Sequence, residues 1–336
     1  MGDGIHSDGL AMANLFNMIN DIPGSDTVFV RLHGNYLLSG TPNRPMAPEK
    51  FETNKGNVKG LPAITRDNVV INATGSVFKV PADFPFRRLK RGGDFQDSFF
   101  IMFHFKGKNC TLLGGTLDGN LHDREVLRGP NKIGYGGNEF GLVMEGENWT
   151  LKGVRAQSWG TDCLLITTQG KSLDCDFTKA RRNGVSVVAY KPISKVVISG
   201  GIISGNGDYP DDIANNPGAG VVVEGPALAS VILERIIFLG NKLKDVQLSK
   251  NSLKCIIKSC YFTNKLALRP LQRGGHHIVY NKLMGAAYIH ATTTVQRNEA
   301  VYLKYNVSEN YEQKVGSLIK YTSGLNARYR QRFIIE

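Results

Sequence analysis

Acidic and basic side chains that could act together in a reaction are concentrated in the middle of the chain. Those suited to acid, base or anion-binding roles are Asp162, Arg182, Asp211, Asp212 and Glu224. Two carboxyl groups about 5–10 Å apart can divide acid and base catalysis between them, and an arginine binds a carboxylate through two parallel hydrogen bonds. Residues suited to holding a substrate are Glu139, Trp159, Arg181, Tyr190, Lys191, Asp208 and Tyr209.

The elements that must position these residues repeat along the sequence. Between residues 139 and 264 one pattern occurs five times: a glycine or small polar residue, a β-branched run, a turn and a second apolar run. The intervals between successive starts are 22, 21, 36 and 25 residues. The starts are Gly141, Cys163, Gly184, Gly220 and Asp245. A period near 22 residues with one insertion predicts a solenoid.

The repeats favour strands over helices. Each holds two short β-branched segments separated by turns, and none has room for a helix of about 10 residues, which excludes the helical solenoids. The sequence therefore predicts an all-β fold, a parallel β-helix with coils of about 22 residues. Because each coil packs on the next, we expect one domain over residues 1–336. Its parts would be an N-terminal cap (1–38), main coils (61–264) and degenerate coils with a C-terminal closure (265–336).

Alignment of the repeats predicts which side chains share one edge of the first sheet. The position before each start holds Phe140, Asp162, Asn183, Ala219 and Lys244. Glu139, Asp162 and Arg182 should project from adjacent coils at this edge, each pair about 5–7 Å apart, because parallel strands lie about 4.8 Å apart. Glu145 and Glu224 should lie three coils apart, about 14 Å, which is too far for a catalytic pair.

The 36-residue interval contains an insertion, GNGDYPDDIANNPGAG. We expect it to form a loop beside that edge, where it would present Asp208, Tyr209, Asp211 and Asp212, because functional residues concentrate on loops held by a rigid scaffold. Structural roles compete with these assignments. Asp162 could form a turn, and Arg182 could form an ion pair on the surface. The inserted loop could be an ordinary solvated loop. Trp159 could lie at the edge of the core or stack on a sugar.

The formal charge of +12 predicts an anionic partner. The basic residues are dispersed with little aromatic interleaving, so nucleic acid is not predicted. No apolar run approaches the roughly 20 residues that span a bilayer, so no membrane partner is predicted, and no signal peptide is visible.

The five cysteines lie inside apolar runs and predict buried thiols. No metal or cofactor is predicted, because the His276–His277 pair has no carboxylate or cysteine at ligand spacing.

At the N-terminus a turn and a short helix are expected. Asp8 is a plausible N-cap, and apolar residues recur at helical spacing: Leu10, Ala13, Phe16 and Ile19. Such a helix would close the open end of the solenoid, whose core would otherwise face water.

The opening segment GDGIHSDGLAMANLFN resembles the entry motif of the pectin-lyase-like superfamily of right-handed parallel β-helices. The segments 114–120 and 180–188 resemble coil sequences found there and in phage tailspike depolymerases. The resemblance spans nearly the whole chain and implies a right-handed β-helix with a capping helix. The tailspike likeness further implies an extracellular or virion-associated protein and a homotrimer. The motifs of the polygalacturonase branch and of the alginate epimerases are not reproduced.

These observations predict an enzyme that cleaves glycosidic bonds in an acidic polysaccharide. The clustered carboxylates favour hydrolysis, with Asp162, a loop aspartate or Glu224 as acid and base. An eliminative lyase remains open, with Arg182 binding the carboxylate of a uronate. A non-catalytic glycan-binding or fibre protein on the same scaffold is the third hypothesis, because a fold does not determine a function.

Overall fold

Strands stacked into three parallel ladders form the faces of a β-helix, which confirms the predicted fold class. The structure is a computed structural model. From Phe99 to Phe262 each coil gives one strand to each ladder, always in the same order. The residues described are 3–38, 61–82, 86–91, 94–97, 99–123, 126–127, 138–207, 218–249, 251–263, 266–270, 276–279, 281–289, 294–296, 299–305 and 331–332.

The first sheet comprises the strands Phe99–Phe105, Asn138–Met144, Asp162–Ile166, Val185–Val188, Ala219–Glu224, Lys244–Leu248 and Leu266–Pro270. The second sheet comprises Val28–Arg31, Val69–Asn72, Thr111–Leu113, Trp149–Lys152, Gly170–Leu173, Ile193–Ser199, Ala229–Glu234, Ile256–Lys258, His277–Val279 and Thr294–Gln296. The third sheet comprises Asp3–Ser7, Asn35–Leu37, Val77–Lys79, Thr116–Asp118, Arg155–Gln157, Asp176–Thr178, Ile202–Ser204, Ile237–Leu239 and Tyr261–Phe262.

Longer strands follow at the C-terminal end. Lys282–Ile289 pairs with the last strands of both the first and the third sheet, and Glu299–Tyr305 pairs with it in parallel. Gln331–Arg332 pairs with the latter strand in the antiparallel sense. A small separate sheet is formed by Phe86–Arg91, Asp94–Asp97 and Val126–Leu127.

The corner between the second and third sheets begins with a residue in the left-handed conformation, and in two coils the following glycine, Gly115 or Gly201, is left-handed as well. This residue is glycine in three coils, with φ of 64° at Gly114, 65° at Gly153 and 75° at Gly200. Asp174 and Arg235 take the same conformation in other coils, with φ of 51° and 53°. Glycine adopts this region without steric cost, so the glycines of the repeat mark a corner that recurs in each coil.

The corner between the first and second sheets carries a ladder of asparagines. Asn68, Asn109 and Asn148 have φ of 58°, 55° and 59°, a region that asparagine tolerates better than other residues with a Cβ atom. The side-chain amide of Asn109 donates to Oδ1 of Asn68 at 2.9 Å, and that of Asn148 donates to Oδ1 of Asn109 at 3.4 Å. These bonds fix the coil register at the corner.

The helix Gly9–Asp21 covers the N-terminal end of the core, as predicted. The ring of Phe16 lies 5.4 Å from the ring of Phe103, which in turn lies 5.1 Å from that of Phe78. Leu10, expected on the buried side, is exposed, and Met12 is buried in its place.

Two local predictions at this end are corrected. The segment Asp3–Ser7, expected as a turn, is a strand that pairs in parallel with Asn35–Leu37. Asp8 occupies the N-cap position but makes no side-chain capping bond. Its Oδ2 atom instead accepts a hydrogen bond from the backbone N–H of Leu37 at 3.2 Å, because the preceding strand directs it towards the next coil.

All five cysteines are buried free thiols, as predicted. Burial raises the pKa of Cys110 and of Cys255 to about 11 and that of Cys260 to about 12, so these thiols behave as small apolar groups. In the part of the chain that the structure describes, no helix has the length and apolar character needed to cross a membrane.

Candidate functional site on the first sheet

The strand register confirms the alignment that placed the candidate residues. Phe140 pairs with Asp162, and Ala219 pairs with Lys244. Alternate side chains of this sheet point away from the core. They form two columns that we call the outer face: Val143, Leu165, Ser186, Val222 and Gln247 in one, and Glu145, Thr167, Val188, Glu224 and Ser249 in the other.

At the edge of this face Asp162 and Arg182 form a bidentate ion pair. Nε of Arg182 donates to Oδ1 of Asp162 at 2.9 Å, and NH2 of Arg182 donates to Oδ2 at 2.7 Å. The backbone N–H of Asn183 also donates to Oδ1, at 3.0 Å. The carboxylate is fully buried, whereas the Arg182 side chain is 34% exposed. Asp162 therefore fixes the guanidinium, and Arg182 is the group that a substrate can reach.

Glu224 ends the strand two coils further along, beside Val188. Partial burial raises the pKa of its carboxyl above its usual range. The positive charge of Arg182 opposes this shift, and the negative charge of Asp162 adds to it. Glu224 thus lies within electrostatic reach of the ion pair and holds a proton to higher pH than an exposed glutamate, as a general acid requires.

Polar side chains line the face between these groups. The Asn183 amide donates to the hydroxyl of Ser186 at 3.1 Å, and Oδ1 of Asn183 accepts from the backbone N–H of Ala219 at 3.1 Å. One coil beyond, the ammonium of Lys244 bonds to the side-chain oxygen of Gln247. Asn183, Ser186 and Lys244 are buried, so these bonds hold the coils together beside Glu224 and Arg182.

Three predicted binding residues are buried. Trp159 is 0% exposed, and its indole N–H donates to the backbone oxygen of Leu117 at 3.1 Å, so it is a core residue and not a stacking platform. Glu139 is also fully buried, with its backbone N–H bonded to the Thr161 hydroxyl. Arg181 is buried as well. Trp159 and Arg181 lie in the short connections between the third and first sheets, whereas Glu139 lies within the strand Asn138–Met144.

Tyr190 and Lys191 lie at the corner that follows the strand Val185–Val188, and both are exposed. Tyr190 is 69% exposed. The backbone of this corner is fixed to the next coil, because the N–H of Ala189 donates to the oxygen of Glu224 at 2.9 Å. Tyr190 therefore presents an exposed aromatic ring at a corner whose backbone is bonded to Glu224.

Asp208, Tyr209, Asp211 and Asp212 lie outside the described residues, so their roles remain predictions. The two ends of their loop are described. Gly207 and Gly218 are in contact, and a Cβ atom on Gly207 would come within 2.3 Å of the Gly218 Cα. The backbone N–H of Gly207 donates to the oxygen of Ala180 at 2.7 Å. The loop therefore leaves and returns beside the segment that carries Arg182.

Three residues of the outer face were not predicted from the sequence: His104, Lys106 and Ser186. Register places His104 opposite Val143 and makes Phe105 the partner of Met144. The segment FFIMFHFKGKN lies within the region predicted as main coils (61–264) but before the five aligned repeats. That alignment would have placed His104 and Lys106 in the two columns that carry Ser186 and Glu224.

Fold and site together define a parallel β-helix protein whose first sheet carries both apolar and charged side chains on its outer face. Neither a family model nor a curated protein matches the chain. Among the described residues, no cluster of three or more histidine, cysteine, aspartate or glutamate side chains has a geometry that could hold a metal ion.

Several solved structures are similar. The A-module of the Azotobacter vinelandii mannuronan C-5 epimerase AlgE4 is 14% identical, over 92% of this chain and 96% of that chain, with a TM-score of 0.44. PfbA, a surface adhesin of Streptococcus pneumoniae, is 11% identical, over 91% and 89%, with a TM-score of 0.33. A tailspike from Acinetobacter baumannii bacteriophage Fri1, a capsular polysaccharide depolymerase, is 12% identical, over 98% and 60%, with a TM-score of 0.34. At these values the likenesses say nothing about the reaction.

Proposed function

We propose that the chain cleaves glycosidic bonds in an acidic polysaccharide bound over the outer face of the first sheet, and that it does so by hydrolysis. The observation that carries the proposal is the raised pKa of Glu224 beside the Arg182–Asp162 pair. A protonated carboxyl and a fixed, accessible guanidinium are the groups that protonation of a leaving oxygen and recognition of a sugar carboxylate require.

Glu224 is the general acid in this proposal. Arg182 binds the carboxylate of an acidic sugar, and Asp162 is a positioning residue, because its oxygens are buried and bonded to Arg182 and Asn183. The second carboxylate is assigned to Asp211 or Asp212, since their loop leaves and returns beside Arg182. A carboxyl separation of about 5–5.5 Å would give retention of configuration, and one of about 6.5–9.5 Å would give inversion.

The net charge of +12 supports a polyanionic substrate, because a basic surface concentrates a polyanion around the protein. Tyr190 and Lys191 extend the binding surface at the corner next to Glu224. We further propose an extracellular or virion-associated location and a homotrimer, both of which follow from the likeness of the sequence to tailspikes.

The test measures products from a panel of capsular and plant acidic polysaccharides. Wild-type protein should release reducing ends from at least one of them, and Glu224→Gln should lower the rate about 10²- to 10⁴-fold, the usual effect of removing a general acid. Glu234→Gln on the second sheet is the matched control and should leave the rate unchanged. Activity should decline as pH rises through the raised pKa of Glu224, since the acid form is then lost.

Other outcomes would identify the alternatives. Ultraviolet absorbance of an unsaturated uronate in the products would replace hydrolysis with elimination, in which Arg182 neutralises the uronate carboxylate. Saturable binding without any product would make the chain a glycan-binding or fibre protein. Full activity in Glu224→Gln would refute the assigned acid.

A further inference from the structure

A second polar cluster lies on the outer face, away from Glu224. Nε2 of His104 lies 3.1 Å from Oε2 of Glu145, and Nζ of Lys106 lies 3.5 Å from the same oxygen. The three residues come from two adjacent coils, because Val143 pairs with His104. The His104 side chain is only 7% exposed, whereas that of Glu145 is 40% exposed. A nearly buried imidazole therefore anchors a carboxylate that faces solvent.

This anchoring leaves half of the carboxylate available. Both contacts involve Oε2, and Oε1 of Glu145 has no partner among the described residues. The close contact with His104 lowers the pKa of Glu145, and the charges of His104 and Lys106 add to this effect, so the group stays ionised. Oε1 is thus a fixed, charged acceptor on the face that we assign to the polysaccharide.

Stability does not explain the cluster. An exposed ion pair such as that of Lys106 and Glu145 contributes about 0–1 kcal/mol, whereas a nearly buried imidazole loses its contacts with water. Two residues along the chain, Lys108 and Glu147 form a pair of the same length, 3.5 Å, without a histidine. A lysine and a glutamate form such a pair without a histidine, so ion pairing alone does not account for His104.

We infer that Glu145 is a binding subsite for a neutral sugar, whose hydroxyl groups donate to Oε1. The inference rests on the proposed function and extends it. Glu145 and Glu224 are three coils apart in one column, about 14 Å, which corresponds to about three sugar units if each unit advances by one coil spacing of about 4.8 Å. A glycan that reaches both sites therefore contains at least about four sugars.

The ionised carboxylate also selects the type of sugar. Lys106 and His104 lie on Oε2, so a uronate carboxylate placed at Oε1 would meet the charge of Glu145 itself, and like charges repel. A neutral sugar presents only donors that Oε1 can accept, and a hydrogen bond to a charged group is stronger than one between neutral groups. With Arg182 binding an acidic sugar, the substrate class is a heteropolysaccharide in which acidic and neutral sugars occur in one chain.

The experiment uses fragments of increasing length from the polysaccharide that wild-type protein degrades. Glu145→Gln should raise KM about 10-fold for fragments that span both sites, leave kcat within about twofold, and leave KM for shorter fragments unchanged. Glu147→Gln is the matched control and should change none of these values. Equal KM for Glu145→Gln and wild type at all lengths, or an equal rise at all lengths, would overturn the subsite.

Direct binding separates this inference from the proposed function. Isothermal titration with the same panel of intact polysaccharides needs no cleavage. If wild type binds a glycan without cutting it, the proposed reaction fails, and weaker binding by Glu145→Gln still supports the subsite. If Glu145→Gln and wild type bind equally, the subsite fails whether or not cleavage occurs. If wild type neither binds nor cuts any glycan, both proposals fail.

Discussion

Replacement of Arg182 by alanine should cost more stability than replacement of its partner Asp162 by asparagine. Arg182→Ala leaves a fully buried carboxylate with the backbone N–H of Asn183 as its remaining described donor. Removing one member of a buried ion pair costs about 3–5 kcal/mol. Because the Arg182 side chain is 34% exposed and water can enter after truncation, the lower end, about 3 kcal/mol, is expected. Asp162→Asn leaves a guanidinium that water can reach, and should cost about 1–2 kcal/mol.

Urea unfolding followed by tryptophan fluorescence measures this difference. Both tryptophans, Trp149 and Trp159, are buried in the core and should report the loss of the coils. The double variant Arg182→Ala/Asp162→Asn removes the buried charge, and we expect it to be no less stable than Arg182→Ala alone. A cost below about 1 kcal/mol for Arg182→Ala, equal to that of an ordinary surface pair, would refute the reasoning.

Two further predictions concern Glu224 and the asparagine ladder. The raised pKa of Glu224 means that the folded state binds its proton more tightly, so its contribution to stability is present in acid and is lost as pH rises through that pKa. Glu224→Gln should therefore be more stable than wild type at neutral pH, with the advantage vanishing towards acid, as urea titrations across pH would show. At Asn109, where φ is 55°, substitution by alanine should cost about 1–2 kcal/mol more than substitution by glycine in thermal or urea unfolding; equal costs would mean that the ladder bonds alone matter.

The fold was predictable because the repeat period determines which residues pair in neighbouring coils. A period near 22 residues placed Phe140 beside Asp162 and Ala219 beside Lys244, and the strands pair in that way. Side-chain directions at the corners were not predictable to the same degree. Trp159 stands three residues before a strand, and only the turn geometry decides that it points into the core.

The site was predictable where side chains lie within strands and not where they reach between coils. Glu224 followed from its place in a column, but the reach of Arg182 back to Asp162 depends on a side chain several bonds long. His104 was not predicted because its coil precedes the regular repeats and is separated from them by a stretch of polar residues. The strand Phe99–Phe105 pairs with Asn138–Met144 across that stretch, and local sequence patterns do not reveal this pairing.

The outer face thus presents two glutamates with opposite protonation behaviour in one column. Burial raises the pKa of Glu224, whereas His104 and Lys106 lower that of Glu145, although the two residues hold equivalent positions in their coils. The scaffold supplies equal backbone positions, and the neighbours decide which carboxyl holds a proton. A repeat fold can therefore place an acid and a fixed acceptor about 14 Å apart without any change in its architecture, simply by varying the residues one coil away.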